Sequence, residues 1–142
     1  MKGQTSPNGW TSFETAIGVC GIAWNALGVT RFLLPASTHK DLQREMSTLD
    51  LGACRNPPPW VRSTIVQAVK HLKGQAQDFS RVPLDFSGVP DFHRVVYSET
   101  LRVPSGGCTT YGELAERIGK PGAARAVGTA LGKNPFALIV PC

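Results

Sequence analysis

The chain has 142 residues, and its 15 basic and 10 acidic side chains give a formal net charge of +5 at pH 7. Apolar residues make up 42% of it, and its 15 glycines and 11 prolines follow no period, which argues against a disordered chain and against a collagen-like repeat. This length suits one domain or two small ones with a shared core, and the mild positive charge suits a polyanionic partner without identifying it.

The first predicted elements are strands. Two apolar runs, 15–24 and 29–34, flank an Asn-Ala-Leu-Gly turn, which predicts two strands joined by that turn. Either Ser37 or Thr38 then caps a predicted helix that continues through Met46.

Two helices and a connector are predicted in the middle of the chain. The prolines at 57–59 break the chain, and apolar residues at spacings of three and four then predict a helix that Gly74 ends. The connector that follows contains one short predicted strand at 82–86. Pro90 opens a further helix, which closes before Val103.

Two short helices joined by a tight turn are predicted near the C-terminus. Thr110 and Glu113 form a capping box that starts the first helix, and glycines and a proline at 119–122 form the turn. The second helix runs from about 123 to 131, with Gly132 as its C-cap. This pair indicates a DNA-binding helix-turn-helix, although the same pair also occurs in helical bundles without a ligand.

The cysteines show no metal-binding or disulfide pattern. None forms a C-x-x-C pair or stands near a second cysteine or histidine at zinc-finger spacing. With no secretory context, this predicts a reduced intracellular protein rather than a disulfide framework. The apolar stretch at 16–29 is shorter than the roughly 20 residues of a membrane span, so no membrane partner is expected. The four cysteines are Cys20, Cys54, Cys108 and Cys142.

Four blocks in the second half resemble the methylated-DNA–protein-cysteine methyltransferase family, also called the O6-alkylguanine-DNA alkyltransferases. The blocks are Thr-Tyr-Gly-Glu-Leu-Ala at 110–115, Ala-Arg-Ala-Val-Gly at 124–128, Asn-Pro at 134–135 and Ile-Val-Pro-Cys at 139–142. The resemblance implies an α+β fold: a ribonuclease-H-like N-terminal domain at 1–88, then a helix-turn-helix, winged-helix-like DNA-binding domain at 89–142.

The resemblance implies DNA repair by irreversible alkyl transfer to Cys142. A cysteine thiolate attacks the alkyl carbon on guanine O6, and the thioether is not regenerated, so each molecule acts once. This chemistry requires no metal or other cofactor. Without its Val-Pro-Cys context Cys142 would be interpreted as a buried structural cysteine, as the other three are. The spacing does not support a family-type zinc site, for which the candidate ligands are Cys20, His39, Cys54 and His71.

The implied partner is double-stranded DNA that contains O6-alkylguanine, bound at the minor groove with the lesion base flipped out. The resemblance assigns Arg125 to the gap that the flipped base leaves and Tyr111 to the adjacent phosphate. Asn134 is assigned to the link between the second helix and the active-site turn. Taken singly, the small residues Ala123, Ala124 and Gly128 fit ordinary helix packing better than DNA contact. The capping role of Thr110 is sufficient to explain its presence, and Asn134 fits a turn former before Pro135. The full DNA-binding set is Thr110, Tyr111, Ala123, Ala124, Arg125, Gly128 and Asn134.

The sequence departs from the family pattern in two respects. His93 and Tyr97 stand where the family commonly has glutamine and tryptophan. The family also continues past its cysteine with a His-Arg pair and a later glutamate, and that histidine activates the thiol through a water. Because this sequence stops at Cys142, we expect the domain to be incomplete at its C-terminus.

Three functions therefore stay open at the level of sequence. The first is single-turnover alkyl transfer to Cys142, slowed by the missing residues. The second is a non-enzymatic, alkyltransferase-like DNA-binding module that flips or marks the lesion. The third, a helix-turn-helix transcription factor, would not need Pro-Cys after its helices. We expect a monomer, located in the cytoplasm at the nucleoid or in the nucleus.

Overall fold

The computed structural model describes residues 8–35, 44, 56–103 and 109–140. Within these ranges, three strands precede four helices. The strands are β1 (Gly9–Thr15), β2 (Gly18–Asn25) and β3 (Gly28–Leu33). The helices are α1 (Pro59–Leu72), α2 (Asp91–Leu101), α3 (Tyr111–Arg117) and α4 (Ala124–Gly132). The predicted α+β architecture is confirmed.

The three strands form one antiparallel sheet in the order β1-β2-β3. The turn between β2 and β3 lies where the sequence predicted it. Asn25 stabilises this turn, since its Oδ1 accepts from the backbone N–H groups of Leu27, at 2.8 Å, and Gly28, at 3.2 Å. Gly28 has φ +152°, and a Cβ there would lie 2.5 Å from the carbonyl of Pro83. Only glycine fits this close approach of two backbones.

Two predictions about strands were wrong. No strand was predicted at β1, because its few apolar side chains give no alternating pattern. Its pairing with β2 defines it. The predicted strand at 82–86 is reduced to a single bridge, in which Leu84 pairs parallel to Val29. Of the helix predicted through Met46, only Arg44 is among the described residues, and it is helical.

The helices follow their predicted boundaries closely. Pro59 occupies the first turn of α1, where its missing N–H costs nothing, and the helix is closed at Lys73. The following Gly74 has φ +97°. Gly132 was predicted as a C-cap, but it is the last residue of α4, and Lys133 forms the cap. Within the described residues, no helix is long and apolar enough to cross a membrane.

One hydrophobic core runs through both halves of the chain. Trp24 and Phe32 of the sheet and Tyr97 of α2 belong to the same buried cluster as Phe136 and Ile139 near the C-terminal end. The sheet also reaches the second half through its backbone, since the Phe32 N–H donates to the carbonyl of Pro135 at 2.8 Å. The domain boundary between residues 88 and 89 stays a prediction.

A polar contact joins the β2–β3 turn to the connector before α2. The Asn25 side-chain amide donates to the Asp85 carboxylate, which also accepts from the Ser87 N–H at 2.9 Å. Burial alone would raise the pKa of the Asp85 carboxyl, but the hydrogen bonds from Ser87 and Asn25 outweigh it, and the pKa lies below its usual value. The contact therefore stabilises the fold more strongly while Asp85 is ionised.

We predict that Asp85→Asn lowers the free energy of unfolding near pH 7, on the order of 1 kcal/mol, the scale of one hydrogen bond. Because the folded pKa of Asp85 is depressed, its contribution is present above the unfolded value of about 3.9 and is lost as the pH falls through the folded pKa. Urea unfolding of both proteins from pH 7 to pH 3 measures this. A difference that stays constant with pH would contradict the assignment to the Asp85 charge.

Candidate functional site

The helix pair near the C-terminus begins with half of the predicted capping box. Thr110 is the N-cap of α3, and its Oγ1 accepts from the Glu113 N–H at 3.1 Å. The Glu113 carboxylate accepts from the Thr109 hydroxyl at 3.1 Å, whereas a full capping box would have it accept from the Thr110 N–H. The cap fixes where α3 starts, and so it fixes the position of Tyr111 in the first turn.

A tight turn separates α3 from α4. Gly119 and Gly122 adopt φ values of +76° and +89°, in the left-handed region that glycine enters without strain. α4 then buries Val127, Ala130 and Leu131 against the core. The turn and the packing between the two helices confirm the predicted pairing of these elements.

The exposed face of α4 carries Arg125. Its side chain points away from the buried face of the helix, and in the described part of the chain no carboxylate forms an ion pair with it. Lys120 in the turn and Lys133 at the C-cap are exposed at the two ends of the same helix. This surface is therefore positively charged and available to an anionic partner.

Tyr111 lies against Gly128, so the two helices meet at a predicted pair of site residues. The Tyr111 side chain is 49% exposed, and a Cβ at Gly128 would lie 3.0 Å from its Cε2. Gly128 thus leaves room for the tyrosine ring. The small residues that precede it, Ala123 and Ala124, are half-buried at the start of α4, and Ala123 packs against the core as the N-cap.

Asn134 joins the end of α4 to the segment that leads to the C-terminus. Its Oδ1 accepts from the Phe136 N–H at 2.8 Å, and its Nδ2 donates to the Val140 carbonyl at 2.7 Å. Its own N–H donates to the Leu131 carbonyl at 3.2 Å. The predicted link between helix and turn is therefore present up to Val140, two residues before Cys142. Within this turn Leu138 has a left-handed backbone with φ +70°.

Tyr97 contributes to the site, although the sequence marked it only as a departure from the family pattern. It is buried in α2, and its hydroxyl donates to the Ala130 carbonyl of α4 at 2.6 Å. Its ring packs edge-on against Phe136 with the ring centroids 6.1 Å apart. The signal in the sequence was a polar tip within an apolar helix face, because a buried hydroxyl requires a partner.

The predicted acceptor Cys142 lies outside the described residues. So do Cys54, Cys108 and His39. Cys20 is buried in β2, and burial raises the pKa of its thiol despite a hydrogen bond with Thr15. His71 accepts from the Gln77 N–H through Nδ1 at 3.1 Å. Among the described residues no group of three or more histidine, cysteine or acidic side chains is placed to hold a metal ion.

Comparison with known proteins assigns the C-terminal part first. Residues 91–142 match the domain model described as 6-O-methylguanine DNA methyltransferase, DNA binding domain. A probable methylated-DNA–protein-cysteine methyltransferase of Acanthamoeba polyphaga mimivirus is 42% identical over 82 residues, 58% of this chain and 54% of that protein. The methylated-DNA–protein-cysteine methyltransferase of Mycobacterium tuberculosis is 45% identical over 133 residues, 94% of this chain and 74% of that protein. The matched part of this chain thus spans about half of the viral relative and three quarters of the mycobacterial one.

The fold is also that of solved structures. The crystal structure of the Mycobacterium tuberculosis O6-methylguanine methyltransferase gives a TM-score of 0.72 at 32% sequence identity, over 95% of this chain and 76% of that chain. The structure of Mycobacterium tuberculosis OGT in complex with DNA gives a TM-score of 0.67 at 32% identity, over 94% of this chain and 75% of that chain.

Together the fold and the helix pair define an α+β protein with a C-terminal DNA-binding domain. The match to the Mycobacterium tuberculosis protein along 94% of this chain identifies a particular family within this class. The chain belongs to the methylated-DNA–protein-cysteine methyltransferase family, whose members repair alkyl lesions in DNA.

We predict that Asn134→Ala lowers the free energy of unfolding by roughly 2 kcal/mol, because the Phe136 N–H and the Val140 carbonyl both lose a partner. It should also slow alkyl transfer, since the segment before Cys142 loses its tie to α4. Urea unfolding and single-turnover transfer assays measure the two effects.

Asn134→Asp is the matched control. A carboxylate still accepts from the Phe136 N–H but cannot donate to the Val140 carbonyl, so stability should be partly restored while transfer stays slow. Wild-type transfer by the aspartate variant would show that the bond to Val140 does not position the segment before Cys142.

Proposed function

We propose that this protein repairs O6-alkylguanine in duplex DNA by taking the alkyl group onto Cys142, once per molecule. The observation that carries this proposal is the Asn134 amide, which ties the end of α4 to the Val140 carbonyl, two residues before Cys142. The same helix carries the exposed Arg125. One rigid element would therefore hold the DNA and orient the segment that delivers the thiol.

The chemistry is a single displacement at carbon. The Cys142 thiolate attacks the alkyl carbon, a C–S bond forms as the bond between that carbon and O6 breaks, and the electron pair stays on the guanine oxygen. The proton that left the thiol is returned to the guanine base, which restores its normal form. A thiolate is the nucleophile suited to this step at neutral pH, and the thioether product ends the cycle.

Base flipping makes the O6 atom accessible to the thiol. The lesion atom lies inside the base stack, so the base must rotate out of the duplex before attack. We propose that Arg125 fills the gap from the minor groove, while Tyr111 crowds the neighbouring phosphate. The exposure of both side chains and the small residues at the start of α4 support this arrangement. Thr110 would act through its cap on α3, which sets the position of Tyr111.

One copy of the chain would be sufficient for this reaction, because α4 and Cys142 belong to the same polypeptide. We therefore propose a monomer that works where its DNA is, at the nucleoid or in the nucleus, without a cofactor. We further propose that residues 1–88 form the ribonuclease-H-like domain and support the helix-turn-helix through the shared core.

We predict that incubation with a duplex containing O6-methylguanine replaces one thiol hydrogen of Cys142 by a methyl group. Intact-mass and peptide mass spectrometry detect the product. Cys142→Ala should abolish the mass change and leave lesion binding in place. Cys20→Ala is the control, and it should still be methylated, because Cys20 is buried and its thiol pKa is raised.

Binding of the lesion duplex without any mass change would overturn the proposal in favour of a non-enzymatic module. The same assay on the chain extended by a His-Arg tail tests whether residues after Cys142 activate its thiol. A positioned base typically accelerates such a step by roughly 10²- to 10⁴-fold.

We predict that Arg125→Ala slows lesion repair more than Lys120→Ala or Lys133→Ala, because only Arg125 is proposed to occupy the gap in the base stack. The two lysines act through phosphates, so their loss should mainly reduce the salt dependence of binding. A fluorescent base-flipping reporter and anisotropy titrations separate the two effects. Equal losses of repair rate in all three variants would show that Arg125 acts only as a surface charge.

A further inference from the structure

The exposed face of α1 carries a row of cations that lie outside the helix-turn-helix. These cations are Arg62, Lys70 and Lys73, and we call them the basic stripe. All three side chains are exposed, and Lys73 is the C-cap of the helix. The helix contains no aspartate or glutamate along its whole length. The basic stripe also lies outside residues 91–142, which match the DNA-binding domain model.

Helix geometry places the three cations on one side. At 100° per residue, Arg62, Lys70 and Lys73 fall within an arc of about 80°, and they span roughly 16 Å along the axis. The buried residues Val61 and Ala68 lie on the opposite side, against the core. The fold therefore presents the basic stripe to solvent, with the exposed side chain of Val66 between Arg62 and Lys70.

The stability of the fold does not account for all three charges. Within the described ranges no carboxylate forms an ion pair with any of the three side chains. Lys70 and Lys73 at the C-terminal end complement the helix dipole, but Arg62 stands near the N-terminal end, where a positive charge is unfavourable. An external anionic partner explains all three positions together.

We propose that the basic stripe binds the phosphate backbone of DNA, as a non-specific contact outside the helix-turn-helix. A duplex carries one negative charge per about 1.7 Å of its axis. A stripe of roughly 16 Å therefore lies along many phosphates, wherever the protein is placed along the duplex. DNA is favoured over an acidic protein because the C-terminal domain already binds it. The proposal rests on this DNA binding and is independent of alkyl transfer.

Such a contact adds affinity for any sequence, damaged or intact. Phosphate contacts carry no sequence information, but they hold a protein near the duplex and allow it to slide. The basic stripe would therefore lengthen the time that the protein spends on undamaged DNA between lesions. It would not alter the rate of transfer once the lesion is bound.

The test compares two double variants with the same change of charge, Arg62→Gln/Lys70→Gln in the basic stripe and Arg31→Gln/Arg81→Gln elsewhere on the exposed surface. Binding to an undamaged duplex is measured by fluorescence anisotropy across a range of salt concentrations. Each lost phosphate contact lowers the slope of log Kd against log salt by about 0.9, so the stripe variant should lose roughly 2. The control pair should keep the wild-type slope, and addition of Lys73→Gln should lower the stripe slope further.

Equal slopes in the two double variants would overturn the proposal. A conservative variant, Arg62→Lys/Lys70→Arg, should bind as the wild type does, which separates lost charge from altered folding. At saturating lesion duplex, the transfer rate of the stripe variant should equal that of the wild type. A reduced slope in a protein that transfers no alkyl group would leave the basic stripe in place and remove only the proposed chemistry.

Discussion

The site depends on the packing of the buried Phe136 side chain. It lies fully buried where the sheet, the connector and the helices meet, with its ring edge-on to Phe86 and Tyr97. Its backbone forms a bridge with Phe32, at the edge of the sheet. Since apolar burial and edge-to-face ring contacts both act at this point, the segment from α4 to Val140 is anchored before any polar contact orients it.

Hydrogen bonds then convert this anchor into a defined geometry. The Tyr97 hydroxyl holds the last turn of α4 to α2, and the Asn134 amide holds the end of α4 to Val140. Both bonds are specific in direction, whereas packing alone tolerates small rotations of a helix. The exposed face of α4 and the segment that leads to Cys142 are therefore set by the same two polar side chains.

Local signals in the sequence predicted most of the helices and two turns. Pro59, the Thr110 cap and the glycines at 119–122 act within a few residues, so each could be recognised without knowledge of the fold. β1 was missed because its structure comes from pairing with β2, and the Phe32–Pro135 bond was missed for the same reason. Asn134 was identified only through the family resemblance, and its two partners became visible in the structure. The acceptor role of Cys142 stays a prediction, since that residue lies outside the described part.

The phenol at position 97 has a further consequence for the optical properties of the protein. Where the family commonly has tryptophan, this chain has Tyr97, and its three tryptophans, Trp10, Trp24 and Trp60, all precede α2. Trp24 is fully buried in the sheet. Indole emission therefore comes from the N-terminal half, and the emission of Trp24 reports the core that both halves share. The helix-turn-helix contains Tyr111 and no tryptophan, so the indole signal follows its unfolding only through the shared core around Trp24.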